Sequence, residues 1–319
     1  MRLRRLGRSG LVVSVVGLGC NNFGGRIGRE ATAAVVHAAI DHGITLLDTA
    51  DSYGDPVGSS EELLGEALAG HRDEVVLATK FGKPMGGVAG LDWAARGSRR
   101  YVRTAVEASL RRLRTDRIDL LQMHEPDPAT PIEETLAALD DLVRAGKVLH
   151  LGSSQFAGWQ VVEAEWTARS RLTSRFVSTQ DKYSVIDRAA ERELVPACLA
   201  SGVGLLPFFP LEHGLLTGKY HRGAAAPAGS RLARSTHVEL LEGAPWDRIE
   251  ALEKFAAERG RSLLDVAIGG LAAQPAVASI IAGATTPEQV AANVAAGGWE
   301  PTTDDLAELD RLTTRLTSG

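Results

Sequence analysis

The sequence predicts a parallel α/β fold closed into a (β/α)8 TIM barrel, with an N-terminal β-hairpin and extra C-terminal helices. Three observations carry that expectation. Short apolar, β-branched runs alternate with amphipathic stretches, the pattern of strands joined by crossover helices. The runs are continuously apolar, as strands covered on both faces must be. Eight strand-then-helix units follow one another with no composition break to mark a second domain, so residues 1–319 read as one barrel domain. An open doubly wound sheet shares this periodicity; the count of eight favours closure.

Taken in order, Val12–Leu18 leads to a helix over Glu30–His42, Ile44–Leu47 to Ser60–Ala69, and Val75–Ala78 to Arg99–Leu113. Ile118–Met123 leads to Pro131–Ala145, where Pro131 suits a first helical turn and Gly146 the stop. Val148–Leu151 precedes Trp159–Arg171, and Phe176–Thr179 precedes Ala189–Ala200. Val203–Leu206 reaches its helix, Trp246–Arg259, only after a long irregular stretch. Val277–Ile281 with Pro287–Ala295 completes the series. Outside it, Arg2–Leu6 and Leu11–Val13 flank Gly7-Arg8-Ser9-Gly10 as a hairpin suited to closing the barrel bottom. Leu211–Gly243 is too long for an ordinary connection, which marks it as functional or disordered. Asp304–Leu316 has helical spacing and suits packing on the outside or rim.

Bulk properties narrow the function. Lys and Arg total 35 against 40 Asp and Glu, a net charge of −5, which argues against nucleic acid as a partner. The basic clusters Arg99-Arg100 and Arg111-Arg112-Leu113-Arg114 lie on an expected helix and read as solvated faces. Cys20 and Cys198 supply neither a disulfide framework nor a clustered metal site. No apolar run approaches the ~18 residues of a membrane span, and none of signal-peptide length follows Met1-Arg2-Leu3-Arg4-Arg5, so the expected location is the reducing cytoplasm.

Barrel chemistry sits where strands end. There the sequence places Asp48 after Ile44–Leu47, Lys80 after the run ending in Ala78-Thr79, and His124 after Ile118–Met123, with Tyr53 in the loop beyond Asp48. Singly, Asp48 reads as a cap, Lys80 as a surface charge, His124 as a core imidazole and Tyr53 as loop filler. Together they match carbonyl reduction, which needs a proton for the developing alkoxide. A Lys⁺ beside a tyrosine lowers the phenol pKa, a carboxylate holds the lysine, and an imidazole orients the substrate oxygen.

With those residues in place, the chain resembles the aldo-keto reductase superfamily over nearly its whole length. The matching stretches begin with Gly17-Leu18-Gly19, Leu47-Asp48-Thr49-Ala50-Asp51-Ser52-Tyr53-Gly54, and Ser60-Glu61 leading into Leu64-Gly65. Ala78-Thr79-Lys80-Phe81-Gly82, Asp119-Leu120-Leu121-Gln122-Met123-His124 and Gly152-Ser153-Ser154 follow. Gly214-Leu215-Leu216-Thr217-Gly218-Lys219 and Gly283-Ala284-Thr285-Thr286-Pro287-Glu288-Gln289 close the set. The resemblance implies reduction of a small-molecule carbonyl substrate by NADPH, with NADH as the alternative, bound across the barrel mouth. It assigns Tyr53 as acid, Lys80 and Asp48 as its tuning pair, and His124 as the orienting group. It implies cofactor contacts at Gly19, Ser154, Gln155, Gln180, Phe208, Pro210 and Leu211, and at Gly283, Thr285, Gln289 and Asn293 for the adenosine-phosphate end. Loop position adds Asn22, Phe23 and Trp93, with parts of Leu211–Gly243, to the substrate wall. No metal is expected. The alternative the resemblance leaves open is a cofactor-binding regulatory subunit, since some relatives serve ion channels.

The sequence departs from the family pattern at three places. Gln155 follows Ser154 where Asn is usual, and Phe208-Phe209 replaces Tyr-Ser before Pro210-Leu211. Thr285-Thr286 stands where many NADPH users carry a cation for the 2′-phosphate, which weakens the charge-assisted preference for that cofactor.

Overall fold

A computed structural model describes residues 1–88, 90–233 and 238–314. Strands β1 (Leu3–Arg5) and β2 (Val12–Ser14) form an antiparallel hairpin. Eight parallel strands make the second sheet: β3 (Val16–Gly19), β4 (Leu46–Asp48), β5 (Val76–Phe81), β6 (Ile118–Met123), β7 (Val148–Ser154), β8 (Phe176–Lys182), β9 (Gly204–Phe208) and β10 (Ile280–Gly283). Their order is β10-β3-β4-β5-β6-β7-β8-β9. The ends of that order meet: Leu205 N–H donates to the Ala276 carbonyl at 2.8 Å, and Ala278 N–H donates to the Leu205 carbonyl at 2.9 Å. The sheet is a (β/α)8 barrel.

Helices α1 (Arg29–Asp41), α2 (Ser59–Ala67), α3 (Arg99–Leu113), α4 (Ile132–Arg144), α5 (Gly158–Arg171) and α6 (Leu194–Ser201) cross between strands. After β9 come α7 (Val238–Glu242), α8 (Trp246–Glu258), α9 (Leu263–Asp265) running into a π-helical turn over Val266–Gly270, then α10 (Pro287–Ala296) and α11 (Thr303–Thr314). The larger core lies between barrel and helices; a smaller one fills the barrel interior with Leu46, Ala78, Leu120, Leu206 and Ile281. The hairpin completes that inner core. Leu6 and Val13 are fully buried in it, and Arg8 N–H bonds the Gly202 carbonyl at 2.7 Å. Gly7 turns at φ +55°, and a Cβ there would lie 2.4 Å from the Val177 carbonyl, so only glycine lets the hairpin seat this closely.

Element boundaries shift in one consistent way. The expected strand Val12–Leu18 divides at Val15 into a hairpin arm and β3, and β4, β7, β8 and β10 run further into polar or glycine residues than their apolar runs suggest. Ladder bonds, not side-chain polarity, end these strands. Ala189–Ala200 separates into a 3₁₀ turn (Ala189–Glu191) and α6. The turn of helix at 263–270 escapes periodicity because it is apolar nearly all round. Trp299 packs on its Gly269, where a Cβ would lie 2.8 Å from the Trp299 carbonyl. Residues 315 and 316 of the expected terminal helix, and 234–237 of the long segment, lie outside the described residues.

Candidate active site

Strand alternation builds the mouth. Side chains two residues apart share a face, so the inner-core positions Leu46, Ala78 and Leu120 put Asp48, Lys80 and Gln122 on the inward face one layer higher. Register ties that layer together: Gly283 pairs with Gly19 and Gly19 with Asp48, Lys80 with Gln122, and Ser154 with Gln180. Gly17, which precedes Gly19 by two, and Ser178, which precedes Gln180 by two, follow the same parity.

Lys80 is fully buried and its ammonium group is saturated. It donates to Asp48 Oδ2 at 2.5 Å, to the Thr49 carbonyl at 2.9 Å and to the Tyr53 hydroxyl at 3.4 Å. Burial alone would drive the amine toward neutrality, but Asp48 and Tyr53 outweigh it and hold the Lys80 pKa above its ordinary value. Asp48 Oδ1 accepts from Gln122 Nε2 at 2.8 Å and from Gln180 Nε2 at 3.1 Å, so both carboxylate oxygens are held. The placement of Gln122 against Asp48 was legible only from strand parity: it stands two residues after Leu120 and two before His124.

Tyr53 stands beside this pair, its ring 5.0 Å from the Lys80 ammonium and edge-on to His124 at 5.7 Å between centroids. The loop that carries it is cinched from α2: Gly58 and Ser60 N–H groups donate to the Tyr53 carbonyl at 3.0 and 3.3 Å. Gly54 turns at φ +95°, where a Cβ would strike Ser59 Oγ at 2.2 Å. Beneath, buried Glu61 accepts from Arg112 at 2.7 Å and Thr79 at 2.6 Å, anchoring α2 to β5. One expectation is corrected here. Burial pushes the Tyr53 phenol above its usual range by more than Lys80 pulls it down, with Asp48 adding to the rise. The neighbouring cation moderates the pKa without making the phenol acidic overall.

His124 is buried, and burial, reinforced by the charges of Lys80 and Lys83, pushes its pKa down to about 2. The imidazole is therefore neutral, and its Nδ1 has no hydrogen-bond partner among the described residues. Gln155, at φ +57°, donates from Nε2 to the His124 carbonyl at 3.0 Å and so braces the histidine from β7.

A cavity of about 620 Å³ opens above these groups. Asp48, Tyr53 and His124 line it, and Lys80 lies directly beneath. Its wall includes Gly19, Ser154, Gln155, Gln180, Phe208, Pro210 and Leu211. Towards α10 it includes Gly283, Thr285, Gln289 and Asn293. Gln289 Oε1 accepts from the Thr285 N–H at 2.8 Å and its hydroxyl at 3.1 Å. Asn22 reaches the cavity too, but Phe23 and Trp93 do not. The Phe23 ring is fully buried in the core between barrel and helices. Trp93 is 69% exposed and lies against the Arg100 guanidinium at 3.8 Å, outside the cavity. An apolar ring in a loop finds the nearest core or cation, and sequence position does not say which.

Sequence reasoning missed Arg26, Lys83, Phe209, His213, Lys219 and Arg231 as individual wall residues. Most of them belong to the irregular segment after β9, where the backbone is strained: Phe209, Glu212 and His213 all take positive φ. Such a segment has no period to read.

The fold and this mouth define a class, a TIM barrel with a small-molecule site at the strand ends. The family model described as "Aldo/keto reductase family" matches residues 15–314, and the chain belongs to that family. It is 38% identical to the uncharacterized oxidoreductase YrpG of Bacillus subtilis (strain 168), over 91% of this chain and 89% of that protein. It is 33% identical to L-glyceraldehyde 3-phosphate reductase of Escherichia coli (strain K12), over 98% of this chain and 92% of that protein. It is 34% identical to a probable voltage-gated potassium channel subunit beta of Arabidopsis thaliana, over 93% and 91%. Membership gives the chain the family's general chemistry, carbonyl reduction with a nicotinamide cofactor. No helix among the described residues is long and apolar enough to cross a membrane.

Proposed function

We propose that this chain reduces an aldehyde or ketone to the alcohol, with Tyr53 as the proton donor and NADPH ahead of NADH as the reductant. The observation that carries the reading is the Lys80 ammonium placed at once on Asp48 and on the Tyr53 hydroxyl, under an open cavity shared with neutral His124. The residues present fit a nicotinamide dinucleotide. The cavity runs from the catalytic groups to the start of α10, as a two-ended ligand requires, and its volume lies in the range of ordinary ligand sites. Ser154 and Gln180 offer hydrogen bonds at a carboxamide, Phe208 an aromatic face, and Gly19 and Gly283 a wall free of side chains. Lys219 and Arg231 bring positive charge to the wall, which supports NADPH although Thr285-Thr286 carries none.

When bound, the reduced nicotinamide supplies a hydride to the carbonyl carbon. The chain's own part is the proton. As the C–H bond forms, the carbonyl π pair moves to oxygen and takes the Tyr53 hydroxyl proton. The resulting phenolate is held by Lys80, whose charge is held in turn by Asp48. Neutral His124 has one ring N–H, and it can donate that to the substrate oxygen. A phenol is protonated at neutral pH by its ordinary pKa, and burial raises that of Tyr53 further, so the donor is loaded.

Following nicotinamide oxidation with a panel of aldehydes tests the reading. Wild type turns over, whereas Tyr53→Phe binds cofactor equally well and loses most activity; undiminished turnover in that variant removes Tyr53 as the acid. Fluorescence titration with both cofactors tests the preference, and equal or tighter NADH binding ends it. The channel-subunit relatives favour a second reading, a cofactor-binding regulatory role. Absence of turnover on every carbonyl, with tight cofactor binding retained, would select it.

A further inference from the structure

The cavity wall is electropositive in an acidic protein. Arg26, Lys83, Lys219 and Arg231 line it, and Asp48 is its one described carboxylate, already neutralised by Lys80. Lys83 differs from the other wall cations in its place. β5 and β6 pair Phe81 with Met123, and the His124 N–H continues that ladder to the Phe81 carbonyl at 2.8 Å. Lys83 and His124 therefore leave neighbouring strand ends side by side, on the catalytic flank of the cavity and not beside α10. The ammonium is close enough for its charge to act on the His124 ring. Among the described residues it makes no hydrogen bond or ion pair, though it is half-buried. Its neighbours show the contrast: Arg96 nearby is bound to Asp92 at 3.2 Å and to the Gly82 carbonyl at 2.7 Å. A half-buried cation on the cavity wall, with no carboxylate partner among the described residues, is free to pair with an anion that enters the cavity.

We propose that Lys83 is the counter-ion of an anionic group on the substrate, so that the chain selects carbonyl compounds bearing a carboxylate or a phosphate monoester. The proposal rests on the reductase reading above and adds to it the class of substrate. Strand order limits where the anion sits: at the β5–β6 side of the mouth beside His124, three strands from β10 and the start of α10. A charge-assisted contact of this kind is worth about tenfold to a hundredfold in kcat/KM.

The test compares matched carbonyls with saturating NADPH and, separately, NADH: 4-carboxybenzaldehyde against benzaldehyde for a carboxylate, and glycolaldehyde phosphate against glycolaldehyde for a phosphate. Wild type is expected to favour the charged member of at least one pair by about tenfold or more. Lys83→Met should erase most of that ratio, chiefly through KM, and Lys83→Arg should keep it; circular dichroism checks that both variants fold. The pair that responds identifies the anion. Equal kcat/KM for charged and neutral members in wild type overturns the proposal while leaving carbonyl reduction in place. So does a Lys83→Met variant that slows both members alike, because a merely structural lysine acts that way. If none of the compounds is reduced with either cofactor, the reductase reading falls and this proposal falls with it.

Discussion

The two ends of this barrel are made by the same strands with the same inward parity, yet they hold opposite chemistry. At the bottom, Leu6 and Val13 of the hairpin close on Leu46, Ala78, Leu120 and Leu206, an apolar cluster with no charged member. One layer up, the same strands present Asp48, Lys80 and Gln122, all buried and all hydrogen-bonded to one another or to a neighbour. The apolar layer contributes area removed from water; the polar layer is tolerated because each charge finds a partner in register. Stability and chemistry are thus separated by about two residues of strand, roughly 7 Å.

That separation can be broken experimentally. The largest effect is expected at the top: Tyr53→Phe lowers kcat/KM by about 10²- to 10⁴-fold while the melting temperature stays within a degree or two, because the ring and its edge contact with His124 remain. A large loss of stability in this variant would mean that the two layers are not independent. Lys80→Met is the mixed case. It strands Asp48 as a buried charge with only amide partners, so it should cost about 3–5 kcal/mol of stability as well as activity; denaturant unfolding measures the first and initial rates the second. Leu6→Ala is the converse, expected to cost about 2–5 kcal/mol and to leave kcat/KM of the surviving folded protein unchanged. A matching fall in kcat/KM would show the bottom plug reaching the site.

The smallest effect concerns pH. His124 is held near 2, so it stays neutral throughout the working range, and the Tyr53 phenol is raised, so it stays protonated. The sign follows from the proposed role of Tyr53: an acid must be protonated, so activity is expected to be lost only as pH rises through the elevated Tyr53 value. The kcat/KM profile for an uncharged aldehyde should be flat within about threefold between roughly pH 5 and 9. An ionisation near 6.5 would assign His124 an exposed, titrating role that its burial contradicts.

How much of this was legible varies along the chain for physical reasons. Strand-then-helix order, the hairpin, and the delivery of Asp48, Tyr53, Lys80 and His124 to one mouth follow from period, turn chemistry and strand ends, which are local properties of neighbouring residues. Closure of the sheet at Leu205 was favoured by a count and settled by hydrogen bonds between segments some seventy residues apart. Phe23 and Trp93 took opposite fates, one in the core and one on Arg100, because burial depends on what the rest of the chain brings near. The sign of the Tyr53 shift was decided the same way. Attraction to a lysine can be inferred from two residues, but desolvation is a sum over every group that displaces water, and only the folded structure supplies that sum.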